Sequence, residues 1–313
     1  MGNKVAMRVI VVGMGVQGSK RRAVAGKDVV STVDPVHPEA IYKSLADVPL
    51  DSYDAALVCA PDDAKLELLT YLLNNGKHLL VEKPLLTHSN AEIEKLAEIS
   101  RSKNVVCYTA YNHRFEPHFV RMKQTIESGR LGKIYCVRMF YGNGTARLVR
   151  NSAWRDEGAG VLPDLGSHLL DTALFWFGMP SVPFEIYSCN CFENRSFDHF
   201  SFGANGSPVL QLEMTLLTWR NHFYADVFAE KGSAHIQSLC KWGPSTFTLR
   251  DRKLPSGRPD EESITLLQPD PTWELEYQHF KRLCARGESN IDNDIWINGV
   301  LNDLSRYALG TTQ

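Results

Sequence analysis

The chain has 313 residues, enough for two domains of ordinary size, each with its own core. Hydrophobic residues make up 43% and charged residues 22%, a balance that excludes a disordered chain. A formal net charge of -2, with no dense Lys/Arg tract, argues against nucleic acid as a partner. The apolar run Val9 to Val12 is too short for a signal peptide or a membrane span, so the expectation is a cytoplasmic protein without membrane contact.

The seven cysteines are odd in number, scattered, and contain no Cys-x-x-Cys pair, the pattern of reduced thiols. Cys189 and Cys191 fall on one face of a predicted strand but have no His or Cys partner at ligand spacing, so no metal site is expected.

Val5 to Val12 predicts a strand that runs directly into Gly13-Met14-Gly15-Val16-Gln17-Gly18. In a dinucleotide site the first glycine makes the turn, the second admits the pyrophosphate, and the third lets the helix pack on its strand. A second β-branched run, Val29 to Val33, ends in Asp34, 19 residues beyond the middle glycine and near the spacing expected of a ribose-binding carboxylate. A carboxylate there repels a 2′-phosphate and favours NAD over NADP. Lys20, Arg21 and Arg22 follow the loop and keep NADP open.

Tyr53 to Ala60 predicts a third strand, Lys65 to Asn75 a helix, and Gly76 its C-cap. The run Leu79-Leu80-Val81-Glu82-Lys83-Pro84 then reads as a buried strand that delivers a lysine and stops at proline, which lacks the N–H a ladder needs. At the carboxyl edge of a parallel sheet such a lysine points into the ligand crevice, although Glu82-Lys83-Pro84 also reads as a strand ending in a solvated lysine. Ser89 to Ser102 predicts an amphipathic helix and Val105 to Tyr108 a strand. The alternation makes residues 1–117 a doubly wound α/β Rossmann domain.

The glycine loop, Gly76-Lys77-His78-Leu79-Leu80-Val81-Glu82-Lys83-Pro84, Tyr111-Asn112-His113-Arg114-Phe115 and Gly129-Arg130-Leu131-Gly132-Lys133-Ile134 together resemble the glucose-fructose oxidoreductase, inositol dehydrogenase and MocA (Gfo/Idh/MocA) family. The resemblance implies that Lys83 contacts substrate and takes part in catalysis. It places Gly13, Gly15, Val16, Gln17, Gly18, Asp34, Pro61, Glu82 and Lys83 on the cofactor side, and Asn112 and Arg114 with Lys83 on the substrate side. Lys65 departs from it, since relatives commonly carry histidine near the start of that helix.

From Gly132 onward strands dominate: 134–140, 185–191, 199–204, 209–218, 223–229, 234–238, 247–250 and 264–267, interrupted by one long helix and closed by helices over 274–285 and 291–309. This predicts, for residues 118–313, an α+β domain with a large, mainly antiparallel open sheet. One sheet face covers helices; the resemblance assigns the other to subunit contact in a homodimer or homotetramer.

Asp164, His168 and Asp171 stand at i, i+4 and i+7, one face of a helix expected to begin near Pro163. The segment also resembles the family's Asp-x-Gly-x-His signature, whose histidine lines the substrate pocket. Asp171 reads better as a structural acid. The polar loop Tyr141 to Arg155 carries Arg147, Arg150, Trp154 and Arg155, suited to carboxylate, phosphate or a sugar face. Family members acting on nucleotide-linked sugars have a similar Tyr-Gly-x-Gly segment.

The expected activity is NAD(P)-dependent dehydrogenation of a CH–OH group, with a nucleotide-linked or acidic sugar of surface polysaccharide synthesis as substrate. His168 is the candidate base, Lys83 the oxygen clamp or itself the base, and Asp164 the residue that orients them. An inositol or free-aldose dehydrogenase, and a non-enzymatic dinucleotide-sensing regulator, stay open.

Overall fold

The computed structural model describes residues 7–152 and 155–310. Strand β1 (Val9–Val12) leads into helix α1 (Val16–Ala25), β2 (Val29–Val33), β3 (Ala55–Val58), α2 (Asp62–Asn74), β4 (His78–Glu82), α3 (Asn90–Lys103) and β5 (Cys107–Ala110). Helix α4 (Pro117–Glu127) and strand β6 (Ile134–Gly142) precede a short helix α5 (Ala146–Arg150) and a π-helical turn, Leu162–Gly166, that opens α6 (Ser167–Phe177). Strands β7 (Glu185–Asn190), β8 (His199–Asn205), β9 (Val209–Thr215), β10 (His222–Ala229), β11 (Gly232–Gln237), β12 (Ser245–Asp251) and β13 (Asp260–Leu266) follow, then α7 (Thr272–Arg286) and α8 (Ile291–Gly310).

The chain forms two compact units, Met1–Asn112 with Pro271–Gly299, and His113–Asp270 with Val300–Gln313. The division differs from a single boundary at 117/118 because α7 returns to the first unit, where Tyr277, Phe280 and Leu283 join a core with Val9, Val11, Leu57 and Leu80. Helix α4, for which no expectation was formed, starts on Pro117 and buries Phe119 and Met122 at helical spacing.

In the first unit the five strands are parallel in the order β2-β1-β3-β4-β5. Both sheet faces are covered, so alternate residues of one apolar run enter different cores. Val9 and Val11 meet α7, whereas Ile10 and Val12 join Leu69, Leu72, Ile93 and Leu96 of α2 and α3. The order reverses between β1 and β3, and a crevice at the carboxyl ends of those strands is where such sheets take ligands. Helix α3 is entered through a Ser89/Glu92 capping box and left at Asn104 in the left-handed region.

In the second unit all eight expected strands form one sheet, β13-β12-β11-β10-β6-β9-β8-β7, antiparallel except for the β6–β9 pair. Alternation places Val137, Met139 and Tyr141 of β6, with Phe223, Ala225 and Val227 of β10, on the buried face. Phe119 of α4 packs on Phe223 and on Trp176 of α6, and the Trp176 indole donates to the Phe119 carbonyl at 3.1 Å. Helix α6 is apolar almost all round, which is why it is buried all round, and it ends at Gly178 with φ +76°.

Candidate functional site

The glycine loop joins β1 to α1. Gly13 has φ +90°, and a Cβ there would lie 2.6 Å from the Cys59 carbonyl oxygen; one on Gly18 would lie 1.8 Å from the Gly13 carbonyl oxygen. Neither position admits another residue without backbone movement. A Cβ on Gly15 would meet nothing within 4 Å, so that glycine faces open space. Helix α1 has no side-chain cap and no acid in its first turn, and Val16 and Gln17 are exposed there, leaving its first amides available to an anion. These features fit a dinucleotide pyrophosphate.

Asp34 directly follows β2 and does more than the sequence indicated. Its Oδ2 accepts from the Met14 amide at 2.7 Å, and its Oδ1 from the amides of Val36 and His37 at 2.9 and 2.8 Å. Burial alone would raise its pKa, but these amides outweigh burial and hold the carboxyl below its usual value. The carboxylate therefore ties the glycine loop to β2 and still has acceptor capacity on Oδ2 for a ribose hydroxyl. A cleft of about 580 Å3 beside it is lined by Met14, Ser19, Arg22, Thr32, His37 and Glu39, with Arg22 3.8 Å from Glu39.

Lys83 follows the last residue of β4 and is half-buried. Around it are two buried cations whose importance the sequence did not reveal. Lys65 on α2 donates to the carbonyls of Glu82 and Pro84 at 3.0 and 2.9 Å and to Asp62 at 2.6 Å. Arg21 on α1 pairs with Glu82 at 2.5 Å and Glu276 at 2.7 Å beneath the Trp273 ring. Pro61 is exposed at the start of α2. Asn112 is 9% exposed and donates to Thr272 at 2.8 Å, a structural bond.

In the second unit His168 stands in the first turn of α6, 7% exposed. Its imidazole stacks on His113 with centroids 4.0 Å apart, and the Tyr141 ring lies 5.9 Å from it. Lys241 brings its ammonium 3.3 Å from the Tyr141 hydroxyl and 3.5 Å from His113 Nε2, against the Trp242 ring. Burial pushes the Lys241 ammonium below its usual value, against the pull of Glu116, Asp270, Cys240 and Asp164. Glu116, Cys240 and Asp270 each offer a donor atom within 4.8 Å of the others. Burial pushes the Glu116 carboxyl and the Cys240 thiol up toward their neutral forms, and Lys241 supplies a countercharge. His113 lies inside a quoted motif, but nothing in periodicity marks Lys241 or Trp242.

Asp164 does not share a continuous α-helical face with His168 and Asp171. It sits in the π-helical turn, whose wider winding changes the register before α6 begins, and it lies 3.7 Å from Arg155. Asp171 is structural. Both its oxygens take the Nε–H of Arg114 at 3.0 and 2.9 Å, and Oδ1 a second N–H at 2.6 Å, so Arg114 is committed to this pair. Arg147 and Arg150 line a cleft of about 550 Å3 with Asn151, Phe192 and Glu193. Trp154 lies outside the described residues.

A doubly wound unit with a dinucleotide loop, in one chain with a large sheet whose buried face meets a histidine-bearing helix, defines a two-domain α/β class. The chain matches the oxidoreductase family with an NAD-binding Rossmann fold over residues 17–111 and the GFO/IDH/MocA C-terminal domain over residues 119–235. It belongs to the GFO/IDH/MocA family. An uncharacterized oxidoreductase of Schizosaccharomyces pombe is 35% identical over 144 residues, 45% of this chain and 38% of that one. The scyllo-inositol 2-dehydrogenase (NADP(+)) of Bacillus subtilis is 30% identical over 132 residues, 41% of this chain and 36% of its own. The chain thus aligns with well under half the length of these curated relatives. Levoglucosan dehydrogenase in complex with NADH has the same fold, with a TM-score of 0.82 at 17% identity over 97% of each chain. No helix among the described residues is long and apolar enough to cross a membrane.

Proposed function

We propose that the protein is an NAD(P)-dependent dehydrogenase that moves a hydride between nicotinamide and a carbinol carbon of a sugar or polyol. The observation that carries this reading is the dinucleotide cradle: an uncapped α1, open space over Gly15, and Asp34 held by three amides. The dinucleotide supplies the hydride acceptor at its C4 carbon. On this reading His168 is the base for the hydroxyl proton lost as the C–H bond breaks and the carbonyl forms, and Lys83 is a hydrogen-bond donor to developing negative charge. Asp164, beside Arg155, acts through the charge it presents to Lys241 and to its own turn.

NAD is the preferred cofactor on this reading, because Asp34 is a buried carboxylate and Arg22 is already beside Glu39. Within the sugar class the substrate is nucleotide-linked or acidic. Arg147 and Arg150 offer two guanidinium groups to phosphate or carboxylate, and Phe192, 66% exposed in the same cleft, offers a ring face to a base. A second reading, an inositol or anhydrosugar dehydrogenase, draws support from the names of the Bacillus relative and the NADH-bound neighbour. The outward sheet face, with Tyr135, Tyr187 and Phe228 exposed, is the surface we assign to a homodimer or homotetramer, which light scattering would read.

The test is a spectrophotometric screen of NAD and NADP against nucleotide sugars, uronic acids, inositols and anhydrosugars. Formation of reduced nicotinamide with a nucleotide-linked or acidic sugar supports the first reading, and turnover confined to neutral cyclitols or anhydrosugars replaces it with the second. Dinucleotide binding without turnover of any of them overturns both and leaves a sensor.

A further inference from the structure

Resting on the reading of Lys83 above, the structure assigns Lys65 and Arg21 as positioning residues that hold the Lys83 segment from two sides. Lys83 needs such support because the ladder stops before it. The β4–β5 register ends at Glu82 and Ala110, and Pro84 brings no N–H that could renew it. A lysine side chain rooted in that gap inherits whatever freedom its backbone has.

Lys65 closes the gap. An ammonium has three N–H donors, and all three are engaged. Two go to the carbonyls of Glu82 and Pro84, the residues immediately before and after Lys83, at 3.0 and 2.9 Å, and the third to Asp62 at 2.6 Å. The Glu82 carbonyl belongs to the peptide that enters Lys83 and the Pro84 carbonyl to the peptide that leaves Pro84, so one nitrogen ties down the main chain before and after the Lys83–Pro84 pair, and with it the direction in which the Lys83 side chain leaves. The lysine doing this is only 3% exposed. Burying a charged head is unfavourable unless its donors are all met, so a side chain that merely filled this space would be better served by an apolar residue.

Arg21 acts on the neighbouring side chain. It holds Glu82 at 2.5 Å while its other arm meets Glu276 at 2.7 Å, and the guanidinium is 1% exposed under Trp273, 4.2 Å from the ring centroid. Arg21 belongs to α1, the helix that begins at the glycine loop. The helix whose first amides face the pyrophosphate is therefore tied, through one ion pair, to the residue preceding Lys83. Lys65 sets the backbone and Arg21 sets the strand end.

The test reads Lys83 directly, so it does not depend on knowing the substrate. Wild type, Lys65→Met and Arg21→Met are pulsed with N-hydroxysuccinimidyl acetate, and acetylation of Lys83 is followed by mass spectrometry. Lys77, which donates to the Leu50 and Tyr53 carbonyls in the same unit, serves as the reference for general loosening. The expected result is a several-fold change in the Lys83 rate with that of Lys77 unchanged, and binding of NADH retained in Lys65→Met. For the alcohol found by the substrate screen, kcat falls by about 10²-fold in Lys65→Met, the cost of a displacement near 1 Å, while KM for NAD holds. Should Lys65→Met fail to fold, Lys65→Gln is read by the same measurements. An unchanged Lys83 rate, or equal changes at Lys83 and Lys77, overturns the assignment. A Lys83→Met protein that transfers hydride as wild type does would instead sink the catalytic reading of Lys83, and the acetylation result would still decide the clamp.

Discussion

The imidazoles of His113 and His168 lie face to face, ring centroids 4.0 Å apart and planes 19° from parallel. The contact fixes the plane of the His168 ring, and Tyr141 and Lys241 flank the stack. On the proposed reading, His168 is the group that accepts the proton lost by the alcohol, and the stack sets the plane in which its ring is held.

His113→Ala removes the face on which His168 rests. We expect kcat to fall by about 10- to 100-fold, less than the roughly 10²- to 10⁴-fold that an acid–base group itself contributes, with little change in KM for NAD. His113→Phe keeps an aromatic face and should retain more of the rate than the alanine variant. Equal kcat in wild type and His113→Ala would show that the stack plays no part in catalysis.

Three glycines of one loop should respond differently to alanine. Gly15→Ala should fold with unchanged thermal stability, since its new methyl group meets nothing within 4 Å, yet lose dinucleotide affinity because it occupies the space over the loop. Gly18→Ala puts a methyl 1.8 Å from the Gly13 carbonyl oxygen, and Gly13→Ala puts one 2.6 Å from that of Cys59. Both should lower the melting temperature in the absence of cofactor. Calorimetry with an NADH titration separates the outcomes, and intact NADH binding by Gly15→Ala would contradict the placement of the pyrophosphate.

Local signals carried the first unit well, because a parallel sheet covered on both faces writes itself as continuous apolar runs such as Val9–Val12 and Ala55–Val58, and glycines punctuate them. The eight strands of the second sheet were legible for the related reason that period-two alternation survives in a one-sided sheet. What failed was register and long-range pairing. The π turn at Leu162–Gly166 displaced Asp164 from the face that simple helical counting gave it, and no periodicity announces a π turn. Arg114 resembles a binding residue until Asp171, 57 positions away, is seen to take it. Lys65, Arg21 and Lys241 look like solvated cations in the sequence, and only the packing reveals what each one meets.

Asp34 gives a pH-dependent stability term whose sign follows from its hydrogen bonds. Its folded pKa lies below the unfolded value of about 3.9, so the folded form binds the proton less readily. The contribution is therefore complete above about pH 4 and disappears as pH falls through the folded pKa. Asp34→Asn, which cannot serve three amides as an anion does, should cost about 1–3 kcal/mol at neutral pH. That difference should narrow in acid. Urea unfolding of both proteins across the acid range checks it, and a difference independent of pH would show that the carboxylate charge is not what the amides stabilise.

Arg114 separates a structural from a substrate-binding role. Asp171 is 1% exposed, and Arg114 provides its paired donors. Arg114→Leu would strand a buried carboxylate and should cost about 3–5 kcal/mol of stability. Adding Asp171→Leu should recover a large part of that loss, because the second change removes the charge that the first leaves unmatched. A residue whose main task is to hold substrate behaves otherwise: Arg114→Leu would then raise KM for the alcohol, leave stability within about 0.5 kcal/mol, and show no coupling to Asp171. Urea unfolding of the four proteins in the cycle, with KM measured on each, distinguishes the two.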